Sequence, residues 1–338
     1  MTTEAATAPQ PELEHLQFDA NGISLHAVAC GQGPLVLFCH GFPESWYSWR
    51  HQLPAVAAAG YRGVALDMRG YGGTAKPAAI EAYGITHLIG DVIGSIAALG
   101  ERQAVVVGHD WGAPVAWFSA LVRPDVVRAV AALSVPYFPP TGALPEGLTV
   151  NDLMRANAKG RDYYRLYFQE PGVAEADLEA DVAHTVRGFL YAISGDIIAD
   201  GVRHTGWDGH FPLGETLSAQ LVQPERLPSW LSEDDVAFYT AELQASGFRG
   251  GLNWYRNIDR LPGLLAPFVG ATIDQPALYL GGEHDLIAGN TPEAIAALPG
   301  LVPGLRRCEV LDGAGHWLQQ ERAEQVNAAL VAFLRDLD

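Results

Sequence analysis

Hydrophobic positions follow two rhythms along this chain. Short apolar or alternating runs around Leu16 (HLQFDA), Leu25 (ISLHAVA), Leu35 (PLVLFCH), Val64 (GVALDM) and Val106 (QAVVVG) have the length and β-branched content of strands. Between the last two, Ile85, Leu88, Ile89, Val92, Ile93, Ile96 and Leu99 recur at intervals of three and four, the spacing of a helix with one apolar face, and Gly100 supplies its stop. The run ending at Gly108 is too short for a buried helix and too uniformly apolar for a half-exposed strand. It predicts a central parallel strand covered on both faces. A second helix is predicted from about Gly112 through Ala116, Phe118 and Leu121 to a stop at Pro124.

After RAVAALSV the rhythm changes. From 136 to 262 the chain carries scattered Pro and Gly, clustered aromatics and helix-like segments such as DLEADVAHTVRGFL, and nothing there reads as a strand series. Strand signals return at QPALYLGGEHD and LRRCEVLDGAGHW, followed by a final amphipathic helix, RAEQVNAALVAFL. The pattern predicts an α/β protein with a mostly parallel sheet and helices on both faces, formed by residues 15–135 and 263–338. A helical insert of lid size, 136–262, interrupts it, and residues 1–14 are expected to be a flexible N-terminus.

Composition narrows the function classes. The 338 residues, 49% hydrophobic and 18% charged, suffice for one large core. A formal net charge of -18 turns away nucleic acid and anionic membrane surfaces as main partners. No stretch approaches the roughly 20 apolar residues of a membrane span. The acidic opening MTTEAATAPQPELEH lacks the basic start and apolar run of a leader peptide, so a cytoplasmic location is expected. Cys30, Cys39 and Cys308 are too far apart for a CxxC site and read as structural thiols. No sequence feature separates a lid surface from a subunit interface, which leaves a homodimer open.

The chemistry centres on GHDWGAP. Gly108-x-Asp110-x-Gly112 has the spacing of a nucleophile elbow, in which a sharp turn between strand and helix lifts one side chain above the sheet. The strand before it and the helix after it make that context specific, and the helix start aims N–H groups at the side chain. Downstream, Asp285 follows the strand PALYL and His316 follows the next strand in a glycine-rich loop. Nucleophile, acid and histidine thus occur in hydrolase order, with Glu283 and Asp274 as the other acids at hand.

An aspartate in the nucleophile position limits the substrate. A carboxylate with a reference pKa of about 3.9 attacks without a base. On an ester or amide it would form an uphill anhydride, whereas on saturated carbon it forms a stable alkyl ester. His316, oriented by Asp285, is then free to activate water against that ester. HGFPESW follows the strand LVLFC, where a hydrolase of this kind supplies the second oxyanion donor, so the N–H groups of Phe42 and Trp111 are the candidates. His40 reads as a loop brace, and Phe42-Pro43 as a candidate cis peptide.

Together, HGFPESW, DMRGYG, GHDWGAP, YFQEPG, NWYRN and GHW resemble the α/β-hydrolase-fold epoxide hydrolases of the soluble type, from about residue 15 onward. The resemblance implies hydrolysis of a small lipophilic epoxide with water to a vicinal diol, without metal or organic cofactor. It also implies two lid tyrosines that hydrogen-bond the epoxide oxygen, which fall on Tyr164 and Tyr255. Tyr163 and Tyr167 crowd the first position. Phe42, Trp111, Phe168 and Trp317 are expected in the substrate pocket. Haloalkane dehalogenases share the nucleophile and would hold halide with Trp111 and a second donor, but Phe42 stands where that donor is usually an asparagine. Fluoroacetate dehalogenases carry arginines where this chain has Trp111 and Pro114. A hydrolase-fold binding protein with little turnover is the alternative from another class.

Overall fold

The computed structural model describes residues 12–286 and 289–337. Eight strands make one sheet: β1 (Leu13–Ala20), β2 (Ile23–Cys30), β3 (Leu35–Cys39), β4 (Arg62–Leu66), β5 (Ala104–His109), β6 (Val127–Leu133), and, after a long excursion, β9 (Ala277–Gly282) and β10 (Leu305–Leu311). Their order is β1-β2-β4-β3-β5-β6-β9-β10. The pairs from β4 to β10 are parallel, while β1 and β2 form an antiparallel edge.

Strand β5 lies between β3 and β6, as its unbroken apolar run predicts. Val105 and Val107 join the core built with Leu53, Val56, Leu330 and Phe333 from the helices Gln52–Ala58 and Ala323–Arg335. Ala104 and Val106 join the opposite core, with Leu88 and Val92 from Ile85–Ala98 and Ala116 and Trp117 from Gly112–Val122. Helices therefore cover both faces. Each valine buried this way contributes about 1.5–3 kcal/mol, so the strand that presents Asp110 is among the most firmly held segments.

One expected boundary needs correction, and two features of the insert take a more detailed form than the pattern indicates. Residues 1–11 of the expected flexible terminus lie outside the described residues, but Leu13 and Glu14 already pair with Cys30 and Ala29, two residues before the expected start of the core. The hairpin turn Asn21-Gly22, with φ of 49° and 77°, sets that register. The segment DLEADVAHTVRGFL is not one helix. It divides into Val173–Leu178 and Val182–Ala192, because the Asp181 side chain accepts the His184 N–H at 3.0 Å and starts a new helix. The insert also contains a strand pair, β7 (Asp162–Tyr163) with β8 (His210–Phe211), each strand too short to leave a periodic trace.

Beyond β6 the chain leaves the sheet through further helices, among them Val150–Asn157, Glu233–Ser246 and Arg249–Tyr255, and returns at β9. No described helix is long and apolar enough to cross a membrane.

Candidate active site

Asp110 follows β5 directly and has φ +49°, a left-handed conformation that costs a non-glycine residue about 1–3 kcal/mol. The turn is tight enough that a Cβ on Gly108 would strike the Gly112 carbonyl, and one on Gly112 the Cys39 carbonyl. Both glycines of the elbow are therefore required by close backbone approach. Trp111 caps the helix Gly112–Val122.

The two oxygens of Asp110 have different surroundings. Oδ1 accepts the Phe42 N–H at 2.8 Å, across from the end of β3. Oδ2 lies 3.6 Å from His316 Nε2. Phe42-Pro43 is cis. His40 braces the same loop, accepting the Met68 N–H on Nε2 at 3.0 Å while Nδ1 meets the Gly41 carbonyl at 2.8 Å.

On its other side, His316 Nδ1 is 3.1 Å from both oxygens of Asp285. Neither alternative acid takes this place: the Glu283 carboxylate binds the Gly313 N–H at 2.8 Å, and Asp274 pairs with the Thr272 hydroxyl at 3.0 Å. Burial by itself disfavours charge on both partners. It is outweighed, so that Asp285 is held below the usual carboxylate range by His316, and His316 is held up at about 9, chiefly by Asp285 with help from Asp110.

Above Asp110 opens a cavity of about 470 Å³ whose walls include Trp111, Tyr164 and Tyr255, and apolar side chains such as Trp117, Tyr137, Met154 and Leu265. Tyr255 and Tyr164 belong to different segments of the insert, yet their rings lie 5.9 Å apart. Burial, reinforced by the charge of Asp110, pushes both phenols well above the ordinary tyrosine value, so both stay protonated donors. Tyr163 also reaches the wall, but it stacks on His210 at 4.6 Å, while Tyr167 hydrogen-bonds Asp177.

Phe42, Phe168 and Trp317, expected in the pocket, pack behind its wall instead. Phe42 meets Phe168, Phe189, Phe248 and Tyr255 at 5.3–6.2 Å, an aromatic cluster joining the loop after β3 to the insert. Phe168 is fully buried in that cluster, and Trp317 lies fully buried against the His316 ring at 4.7 Å. Strand-end position and aromatic identity signalled proximity, not which face of each ring would be covered.

Sequence reasoning missed several supporting residues. Ser134, with φ +73°, donates to Asp285 Oδ2 at 2.5 Å and lies 3.2 Å from His316 Nδ1. His109 bridges Glu44 Oε2 at 2.8 Å and the His316 carbonyl at 2.7 Å. Glu321 accepts the N–H groups of Gly315, Trp317 and Gly195 at 2.8–2.9 Å, tying the His316 loop to the insert. Only the strand-end place of SVPY after β6 hinted at Ser134. The other contacts join residues far apart in the chain. No group of three or more His, Cys, Asp or Glu among the described residues could hold a metal ion.

The chain is similar to known proteins along nearly its whole length. Residues 34–323 match the family model described as the alpha/beta hydrolase fold. Epoxide hydrolase A of Mycobacterium tuberculosis is 42% identical over 322 residues, covering 95% of this chain and 97% of that protein. Epoxide hydrolase 1 of Siraitia grosvenorii is 39% identical, with 96% and 99% covered. Among solved structures, an epoxide hydrolase from an endophytic Streptomyces superimposes with a TM-score of 0.89 at 44% identity, covering 98% of this chain and 97% of its own.

Proposed function

The chain belongs to the epoxide hydrolases of the α/β-hydrolase fold, and from that membership we propose that it converts lipophilic epoxides to vicinal diols through a covalent ester on Asp110. The observation that carries this reading is the split environment of the Asp110 carboxylate. Oδ1 is occupied by the Phe42 N–H, which leaves Oδ2 as the oxygen free to attack a ring carbon bound in the cavity. In that step an Oδ2–carbon bond forms and a ring carbon–oxygen bond breaks. The departing oxygen is received by the hydroxyls of Tyr164 and Tyr255, which supply the proton that the alkoxide needs.

The second step uses the same geometry with the charges changed. Esterification removes the negative charge of Asp110, one of the contributions that hold a proton on His316. The imidazole becomes able to take a proton from water while Asp285 orients its Nδ1 side. Hydroxide adds to the ester carbonyl, and Oδ1, already against the Phe42 N–H, carries the developing oxyanion, with the Trp111 N–H as the second donor. Collapse breaks the Cγ–Oδ2 bond, the leaving alkoxide takes the proton held on His316 to complete the diol, and the acid left on Asp110 returns its proton to the tyrosinate, restoring carboxylate and phenol.

The insert 136–262 acts as the lid that brings the tyrosines over the nucleophile, and its apolar wall suits lipophilic substrates. His316→Gln tests the scheme. Incubated with styrene oxide, it should gain the substrate's mass on Asp110 and release no diol. An unmodified intact mass would overturn the ester intermediate.

A further inference from the structure

Three sheltered arginines of this protein sit on a carboxylate: Arg69 on Asp91 at 2.6 Å, Arg256 on Glu175 at 2.8 Å, Arg50 on Asp235 at 3.0 Å. Arg165 does not. It is partly buried in the cavity wall, and its guanidinium meets no carboxylate among the described residues. The partner it has is the phenol oxygen of Tyr164, which accepts from Nε at 2.8 Å, with the guanidinium carbon 5.5 Å from the ring centre. A half-buried cation with no counter-ion is poised to stabilise negative charge that develops beside it.

Tyr164 is the group placed to do so. Its ring is held by Phe168 and Trp207 and packs on Gly209, where a Cβ would come within 2.6 Å of it, and its N–H is bound to the Gly209 carbonyl at 3.0 Å. With the ring fixed and one lone pair of the oxygen taken by Arg165, the hydroxyl proton is turned away from the guanidinium. Tyr255 receives no such donor among the described residues, although the charge of Asp110 faces both tyrosines.

We propose that Arg165 is a positioning residue that makes Tyr164 the principal proton donor in ring opening, by fixing the hydroxyl and by stabilising the tyrosinate formed when the proton leaves. This rests on the ester mechanism above. The proton balance closes within it: the ring oxygen takes the Tyr164 proton as the Asp110 ester forms, and ester hydrolysis later liberates the Asp110 carboxylic acid, whose proton restores the phenol. Arg165 stays protonated throughout, since a guanidinium does not titrate near neutrality.

A double-mutant cycle with Tyr164→Phe, followed by stopped-flow with styrene oxide, tests the proposal. Arg165→Gln should slow alkylation of Asp110 by about 10- to 100-fold, the scale of a charge-assisted hydrogen bond gained in the transition state, and leave ester hydrolysis nearly unchanged. In the Tyr164→Phe background the same substitution should cost almost nothing, because the group it acts on has gone. Arg165→Lys, which keeps the charge but loses the Nε fork, should show a smaller loss confined to the same step. Equal slowing of both steps, or an undiminished cost in the Tyr164→Phe background, would overturn the role of Arg165. Absence of any ester on Asp110 in His316→Gln would instead overturn the mechanism itself.

Discussion

His316 Nε2 stands 3.6 Å from Asp110 Oδ2, too far for a strong hydrogen bond and close enough for the two charges to feel each other. This spacing suits a pair that must not commit to one another. In the proposed scheme a tight ion pair would blunt Asp110 as nucleophile, whereas a distant histidine could not reach water at the ester carbonyl. Several measurable consequences come from this arrangement and its surroundings.

Tyr255→Phe removes a hydroxyl that lines the cavity and that, in the proposed scheme, takes no part in activating water. Alkylation of Asp110 should slow on the order of 100-fold, with ester hydrolysis little changed. Stopped-flow traces resolving the two phases check this. Equal slowing of both would remove Tyr255 from ring opening.

Ser134→Ala deletes the donor that sits 2.5 Å from Asp285 Oδ2. Asp285 then holds His316 less well, and ester hydrolysis should slow by about tenfold while alkylation is preserved. Single-turnover rates for the two steps decide the matter, since loss confined to alkylation contradicts the assignment.

The elevated His316 also predicts how stability responds to pH. Its folded value of about 9 exceeds the unfolded value of about 6.5, so the protonated ring stabilises the fold fully below about pH 6.5. That contribution disappears as pH rises through about 9. Thermal unfolding of the unaltered protein and His316→Gln, compared at about pH 6 and about pH 10, should show the former's relative advantage shrinking as pH rises. An advantage that grows would contradict the charge balance described for the triad.

Gly112→Ala places a methyl group against the Cys39 carbonyl, backbone that cannot swing aside. The elbow must open, at a cost of at least about 1–3 kcal/mol, and Asp110 loses its alignment with the Phe42 N–H. Denaturant unfolding and ester formation should fall together. Unchanged stability would show that the turn is looser than its contacts indicate.

What the residues alone determined is the part of this protein written in local pattern. The apolar run into Gly108, the two glycines around Asp110, and the strand-end positions of Asp285 and His316 each depend on neighbours within a few residues, so they were legible without coordinates. The same holds for β5 at the centre of the sheet and for the sheet resuming after the insert. Tertiary structure alone decided which side chains close the site: Ser134 beneath Asp285, Glu321 joining the His316 loop to Gly195, Arg165 on Tyr164, and the withdrawal of Phe42, Phe168 and Trp317 behind the wall. Most of these contacts join residues tens to hundreds of positions apart. Arg165 and Tyr164 are neighbours in sequence, but the pocket that leaves their hydrogen bond as the guanidinium's main anchor is assembled from the whole chain. Periodicity reports which face of an element is apolar. It carries no information about what another element will lay against that face, because that depends on how the packed surfaces fit.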